Sequence, residues 1–159
     1  MISVRSNGGG SCTALRALLS YFLEDGARVV TNVAAYRLRD GESALDPEGY
    51  LENRGVSPAE ASSWSAADRR VIAKIAEQFQ PKWLLAKEQF RSWHYMLLSS
   101  DEHKRVDAYS CPVVLLIDND CFSATDIFAG AFADWPQVTL VGEATGGGSG
   151  RSRPVTLPK

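Results

Sequence analysis

The chain is poor in the residues that build metal centres and disulfide frameworks. Its three cysteines, Cys12, Cys111 and Cys121, form no C-x-x-C pair, and its two histidines, His94 and His103, are too few for a His-rich site. Neither a disulfide scaffold nor a zinc site is expected. Long apolar runs are missing too. The longest are about five residues, such as Val113–Ile117, against the roughly twenty that a membrane helix needs, so no membrane span is expected in this chain. Charge of one sign is also scarce. Seventeen Lys and Arg against nineteen Asp and Glu leave a net −2 with no long basic run, which removes the electrostatic footprint of a nucleic-acid binder. The start, Met-Ile-Ser-Val-Arg-Ser, has no basic leader followed by an apolar stretch, so no signal peptide is expected here. No period of about 20–50 residues repeats, which argues against a solenoid.

What is present is an ordinary globular composition. With 159 residues, 45% apolar and 23% charged, the chain has the material for one domain with a sizeable core. Residues 2–5 read as a short strand broken by Asn7-Gly8-Gly9-Gly10, a tight strand-to-helix turn. Leu15, Leu18, Leu19, Phe22 and Leu23 then form one helical stripe stopped by Asp25-Gly26. Residues 28–38 read as a second strand. Residues 39–65 turn to Gly, Pro, Ser, Asp and Glu and are expected to be a surface excursion. Ser65 caps an expected helix to about Phe79, with Val71, Ile72, Ile75, Ala76 and Phe79 as its stripe and Pro81 closing it. Residues 82–93 are compatible with further helix, residues 94–98 with a strand, and residues 99–110 with a loop.

Behind Pro112, the run Val113–Ile117 has the continuous apolarity of a parallel strand covered on both faces. A helix is expected from near Ser123, carrying Ile127, Phe128, Ala131 and Phe132 until Trp135-Pro136. Residues 138–141 make the next strand, and residues 142–150 a glycine-rich loop. Alternating strands and helices predict an α/β domain with a mostly parallel sheet and flanking helices. Ile2 and Val4 look like the tail of one buried strand and residues 155–157 like the start of another, so both ends are expected to be cuts through a larger domain.

Two strand-to-helix turns, residues 6–11 and 118–125, fall at the carboxyl ends of strands, where α/β sheets bind ligands. Ser123 would stand at a helix N-terminus with the Gly8-Gly9-Gly10 amides pointing to the same spot. A serine hydroxyl beside converging amides is what acyl transfer requires. A plainer reading is open: Ser123-Ala124-Thr125-Asp126 fits the S-x-x-[DE] capping box, which would make Ser123 only an N-cap. The glycines are likewise compatible with simple tight turns, and without a G-K-[ST] ending the first of them is no phosphate-binding loop.

In order, Val4-Arg5-Ser6-Asn7-Gly8-Gly9-Gly10, Cys111-Pro112-Val113-Val114-Leu115-Leu116-Ile117-Asp118, Phe122-Ser123-Ala124-Thr125-Asp126-Ile127-Phe128-Ala129 and Val141-Gly142-Glu143-Ala144-Thr145-Gly146-Gly147 resemble the core of the tail-specific, or C-terminal processing, serine peptidases of family S41. The resemblance spans nearly the whole chain and implies the ClpP/crotonase-like α/β fold. It implies a polypeptide substrate and no cofactor. It puts the nucleophile on Ser123, oxyanion amides on Ala124 and the Gly9-Gly10 pair, and a substrate-binding loop on Gly146, Gly147 and Gly148. The lysine of the family's serine-lysine dyad aligns with Gly148, so the resemblance is to a lysine-less branch similar to the tricorn protease, whose base and acid align outside this chain. Arg151 and Arg153 cannot serve, because guanidinium stays protonated. His94 and His103 are the internal alternatives as base. Between Trp93 and Tyr95 the first reads as packed, and within a charged run the second reads as solvated. Cys121 is a thiol alternative whose plainer role is packing, and Glu143 and Asp126 either orient groups in the cleft or anchor loop and helix. Family members often carry a PDZ domain ahead of the core and often work outside the cytoplasm; neither feature is visible in these residues. Two other functions fit the same fold: a peptide-binding module without catalysis, and crotonase-like chemistry on acyl-CoA thioesters.

Overall fold

The structure is a computed structural model that describes residues 1–38, 55–81, 86, 88–100, 108–133 and 135–148. It is a mixed α/β fold, and the chain divides into two compact units: Met1–Leu15 with Ser110–Lys159, and Arg16–Tyr109. Composition alone suggests one domain.

The first unit is built on a parallel sheet of β1 (Ile2–Ser3), β5 (Val113–Ile117) and β6 (Val138–Gly142), in the order β1-β5-β6. Ile2 pairs with Leu115 and Ser3 with Leu116, and the Val4 amide extends the ladder to the Leu116 carbonyl at 3.0 Å. β5 and β6 pair from Val113 with Val138 to Ile117 with Gly142. Helix α3 (Ala124–Ala131) follows β5. Phe128 and the C-cap Phe132 are buried, with their rings edge-to-face at 4.9 Å, and Phe132 meets Trp135 in the same way at 5.0 Å. Contrary to the expectation from its apolar run, β5 is not covered on both faces among the described residues: Val113 and Leu115 are buried, but Val114 is 38% exposed, and Val141, across from Leu116 on that second face, is 46% exposed.

The second unit holds an antiparallel sheet of β2 (Arg28–Ala34), β4 (His94–Ser99) and β3 (Ser57–Pro58), in the order β2-β4-β3. β4 is its central strand and every residue in it is buried, in keeping with the expected strand over 94–98. A register shift between Val30 and Asn32 bulges β2, and the Thr31 hydroxyl donates to the Met96 carbonyl at 3.3 Å. Helix α2 (Ala66–Gln78) lays Ile72 on Tyr95 and Leu97, with Val30, Val33, Trp64, Val71 and Ile75 closing around them. Its N-terminus is a full capping box: the Ser65 hydroxyl accepts from the Asp68 amide, and the Asp68 carboxylate accepts from the Ser65 amide at 2.9 Å.

Helix α1 (Cys12–Leu19) passes from the first unit into the second and tightens into a 3₁₀ turn over Ser20–Phe22. Leu15, Leu19, Phe22 and Leu23 are buried as the periodicity requires. Leu18, on the edge of the stripe, is 41% exposed. Residues 39–54 of the expected surface excursion lie outside the described residues. Its final part is not an excursion: Val56 is buried, and β3 pairs with β4 through Ser57 with Tyr95 and Pro58 with His94. Continued helix over 82–93 is also not borne out at Phe90, which forms an antiparallel bridge with Arg37. Residues 155–157, read as a strand start, are outside the described residues.

Candidate active site

Because β1, β5 and β6 run parallel and are hydrogen-bonded neighbours, their carboxyl ends lie together, and so do the three segments that leave them: residues 4–10, 118–124 and 143–148. Direct bonds join these segments. The Phe122 amide donates to the Asn7 carbonyl at 3.1 Å, the Ser123 amide to the Gly147 carbonyl at 2.7 Å, and the Gly146 amide to the Cys121 carbonyl at 2.9 Å. Phe122 and Gly147 form a parallel bridge, so the glycine loop runs as a one-step extension of the sheet beside the serine.

Ser123 is half-buried at the N-cap of α3, with φ 57° and ψ −119°. A side chain is disfavoured in this region by about 1–3 kcal/mol, and it is the geometry that lifts a residue out of a strand-to-helix turn. The capping box allowed by Ser123-Ala124-Thr125-Asp126 does not form: the Ser123 side chain makes no capping bond, and Asp126 instead accepts from the Thr145 hydroxyl at 2.5 Å. The same S-x-x-D pattern at Ser65 does form its box, from a β-region N-cap at φ −66°. The backbone conformation of the serine itself, not the pattern, separates the two.

Gly9 lies against this turn. A Cβ there would sit 2.5 Å from the Phe122 carbonyl oxygen and 2.9 Å from both the Ala124 nitrogen and the Ser123 Cβ, and its φ is +94°. Only glycine allows that approach. The Gly9 amide is taken by the Asn7 side-chain oxygen at 3.0 Å. Among the described residues, the amides of Gly10 and of Ala124 have no acceptor. The Ala124 N–H is the first of α3, where helix geometry leaves donors unpaired.

On the other side, Gly146, Gly147 and Gly148 form the loop that the Ser123 amide grips. Phe122 is 46% exposed, and its ring occupies the space next to Gly148, where a Cβ would collide with the ring's Cζ. Gly148 has φ +74°. A lysine at 148 would therefore meet both the ring and an unfavourable backbone.

The turns are tied together by Asp118, which pattern reading did not single out. Its carboxylate accepts from the Ser6 amide at 3.0 Å on each oxygen, from the Ser6 hydroxyl at 3.4 Å, from the Asp120 amide at 3.2 Å and from the Cys121 thiol at 3.3 Å. The Ser6 amide above all, with the Cys121 and Asp120 donors, holds the Asp118 carboxyl below the usual carboxylate range against the opposing pull of desolvation. Ser6, like Ser123, has φ 57°. The available signal was an aspartate ending the most apolar strand, a residue type that binds nearby backbone amides at turns.

Cys121 is fully buried, and its single S–H lies between Asp118 Oδ1 at 3.3 Å and the Val4 carbonyl oxygen at 3.0 Å, which share it. Burial, with the Asp118 charge beside it, pushes the thiol up, which favours its protonated, hydrogen-bond-donating form over the thiolate. His94 belongs to the other unit, fully buried in β4 with Nδ1 against the Ser92 carbonyl at 2.7 Å. His103, Arg151 and Arg153 lie outside the described residues. Among the described residues of the serine's unit there is no histidine and no lysine. No group of three or more metal-ligating side chains occurs among the described residues, and no described helix is long and apolar enough to cross a membrane.

A search of curated proteins found no match. Among solved structures, the crystal structure of a "putative peptidase" from Parabacteroides merdae is similar, with a TM-score of 0.52 and 22% identity. The match covers 92% of this chain and 30% of that one, so the chain spans less than a third of that protein's length. At this identity the likeness speaks for the fold. The family model described as Peptidase family S41 matches over residues 1–159, and the chain belongs to peptidase family S41.

Proposed function

We propose that this chain carries the nucleophile and oxyanion hole of a serine peptidase that cleaves polypeptides through an acyl-enzyme. Ser123 Oγ attacks the carbonyl carbon of the scissile bond. The hydroxyl proton passes to a base and from it to the leaving amine, and water then hydrolyses the ester on Ser123. The oxyanion is received by the Ala124 amide and by the glycine turn. Within that turn Gly10 is the donor, since the Gly9 amide is bonded to Asn7. Each such donor lowers the barrier by about 2.7–4 kcal/mol. Gly9 acts by its missing side chain, and Gly146, Gly147 and Gly148 offer backbone along which a peptide can lie. The base comes from outside the described part of this unit, in keeping with glycine at 148. No cofactor is needed for this chemistry.

The observation that carries the reading is the backbone of Ser123. A serine kept at φ 57° without a capping bond has no stabilising role that explains it. The second reading, a peptide-binding module without turnover, draws on Gly148 and the Phe122 ring that fills the lysine's place. Intact-mass detection of fluorophosphonate labelling separates them. It is applied to this chain and to the longest open reading frame containing it, each with Ser123→Ala. Adduct formation that the substitution abolishes supports the peptidase. Peptide binding with no adduct in either protein supports the module.

A further inference from the structure

The geometry points to Asp118 as a positioning residue for the oxyanion hole, acting through Ser6 to aim the glycine turn at the nucleophile. This inference rests on the serine-peptidase reading above. It starts from the strand ends. β1 and β5 are adjacent, and the chain leaves each of them in a turn; the ladder between them runs through Ile2, Ser3 and the Val4 amide and ends there, two residues short of Ser6. Ser6 then takes φ 57°, a conformation that reverses the chain toward Asn7 and that a serine does not hold unaided. The Asp118 carboxylate meets the Ser6 amide with both oxygens at 3.0 Å, a bifurcated charge-assisted bond, and takes the Ser6 hydroxyl as well. From the fixed Ser6, the Asn7 carbonyl accepts from the Phe122 amide, and the Asn7 side-chain oxygen takes the Gly9 amide, leaving Gly10 as the next donor. On its own side Asp118 accepts from the Asp120 amide, and the single Cys121 S–H is shared between Asp118 Oδ1 and the Val4 carbonyl, so the two turns also meet at this thiol.

One carboxylate thus serves donors from both halves of the site, and both oxygens are used. Asparagine presents one acceptor and one N–H₂: an oxygen in the Oδ1 place still accepts from Ser6 and Asp120, but the N–H₂ in the Oδ2 place faces the Ser6 amide donor to donor, and the charge that strengthens these bonds is gone. Misplacing an oxyanion donor by about 1 Å costs roughly 100-fold in rate. A glycine at position 6 adopts positive φ without help and needs the carboxylate less.

The test uses Asp118→Asn, Ser6→Gly and the double variant, with two readouts: the saturation kinetics of fluorophosphonate labelling, and amide hydrogen exchange over residues 4–10. Asp118→Asn is expected to lower the maximal labelling rate roughly 10- to 100-fold with half-saturation unchanged, and to speed exchange at Ser6 and Gly9. The added Ser6→Gly is expected to restore the rate to within about threefold of the parent. An Asp118→Asn protein that labels at the parent rate overturns the inference. So does a double variant no faster than Asp118→Asn alone, which would make the loss a general weakening of the fold. If the parent protein does not label either, the peptidase reading fails separately. The exchange data then decide whether Asp118 holds the turn: faster exchange upholds that role, and unchanged exchange overturns it.

Discussion

Gly9→Ala, set against Gly8→Ala, tests whether close approach of the two turns builds the site. Both positions lie in the same exposed three-glycine run. At Gly8 a Cβ meets nothing within 4 Å, whereas at Gly9 it would stand 2.5 Å from the Phe122 carbonyl oxygen, about 0.9 Å short of the 3.4 Å at which ordinary contact begins. The neighbours at Gly9 are backbone and the serine's own Cβ, not the end of a flexible side chain, so the turns must separate. Alanine at φ +94° adds its own penalty of roughly 1–2 kcal/mol. With some strain from the separation, Gly9→Ala should cost about 2–3 kcal/mol of stability, a fall in Tm of very roughly 5–10 °C for a chain of this size. A displacement approaching 1 Å at the oxyanion donors should lower the labelling rate at Ser123 on the order of 100-fold. Gly8→Ala should change neither by more than about 0.5 kcal/mol or twofold. Intact-mass labelling rates and thermal melts of the three proteins are sufficient. Equal labelling by Gly9→Ala and the parent, or equal damage from Gly8→Ala, would refute the argument that a missing Cβ at this one position holds the two turns together.

The two serines of S-x-x-D pattern should respond oppositely. Ser65→Ala loses a complete capping box and should cost about 1 kcal/mol in a urea melt, while Ser123→Gly loses no cap and sheds an unfavourable φ, so it should be at least as stable as the parent and fail to label. Gly148→Ala should destabilise by more than about 1 kcal/mol alone, yet by only the backbone penalty once Phe122→Ala has removed the ring, and a double-mutant cycle with no coupling would refute that contact. At Asp68, burial raises the carboxyl's pKa, but the Ser65 hydroxyl and amide, with Arg28 at 2.9 Å, outweigh it and leave the pKa lowered. A depressed folded value means stability fully present at neutral pH and lost as the pH falls through that value. The acid side of the stability profile should therefore flatten in Asp68→Asn; a variant whose profile parallels the parent would refute it.

Much of the local structure follows from the order of residues alone. Periodicity placed α2 and its Ser65 cap, and the apolar run placed β5, because each depends on near neighbours and on which face is apolar; α3 begins where expected but ends at Ala131, ahead of the Trp135-Pro136 break. The order of motifs likewise carried the resemblance to family S41, with Ser123 among glycine turns. Three features were decided only in the tertiary structure, since each depends on residues far apart in the chain. The 55–58 segment reads as polar excursion, yet it completes a sheet because β4, some 40 residues later, offers it an edge. Val113–Ile117 reads as covered on both faces, but what covers a strand is set by the elements packed on it, and among the described residues Val114 stays open. Ser123 fits a capping box on its own four residues. Gly147 draws its amide and Gly9 presses against its Cβ from 114 positions away, and these contacts accompany a backbone in which the hydroxyl is released rather than used as a cap.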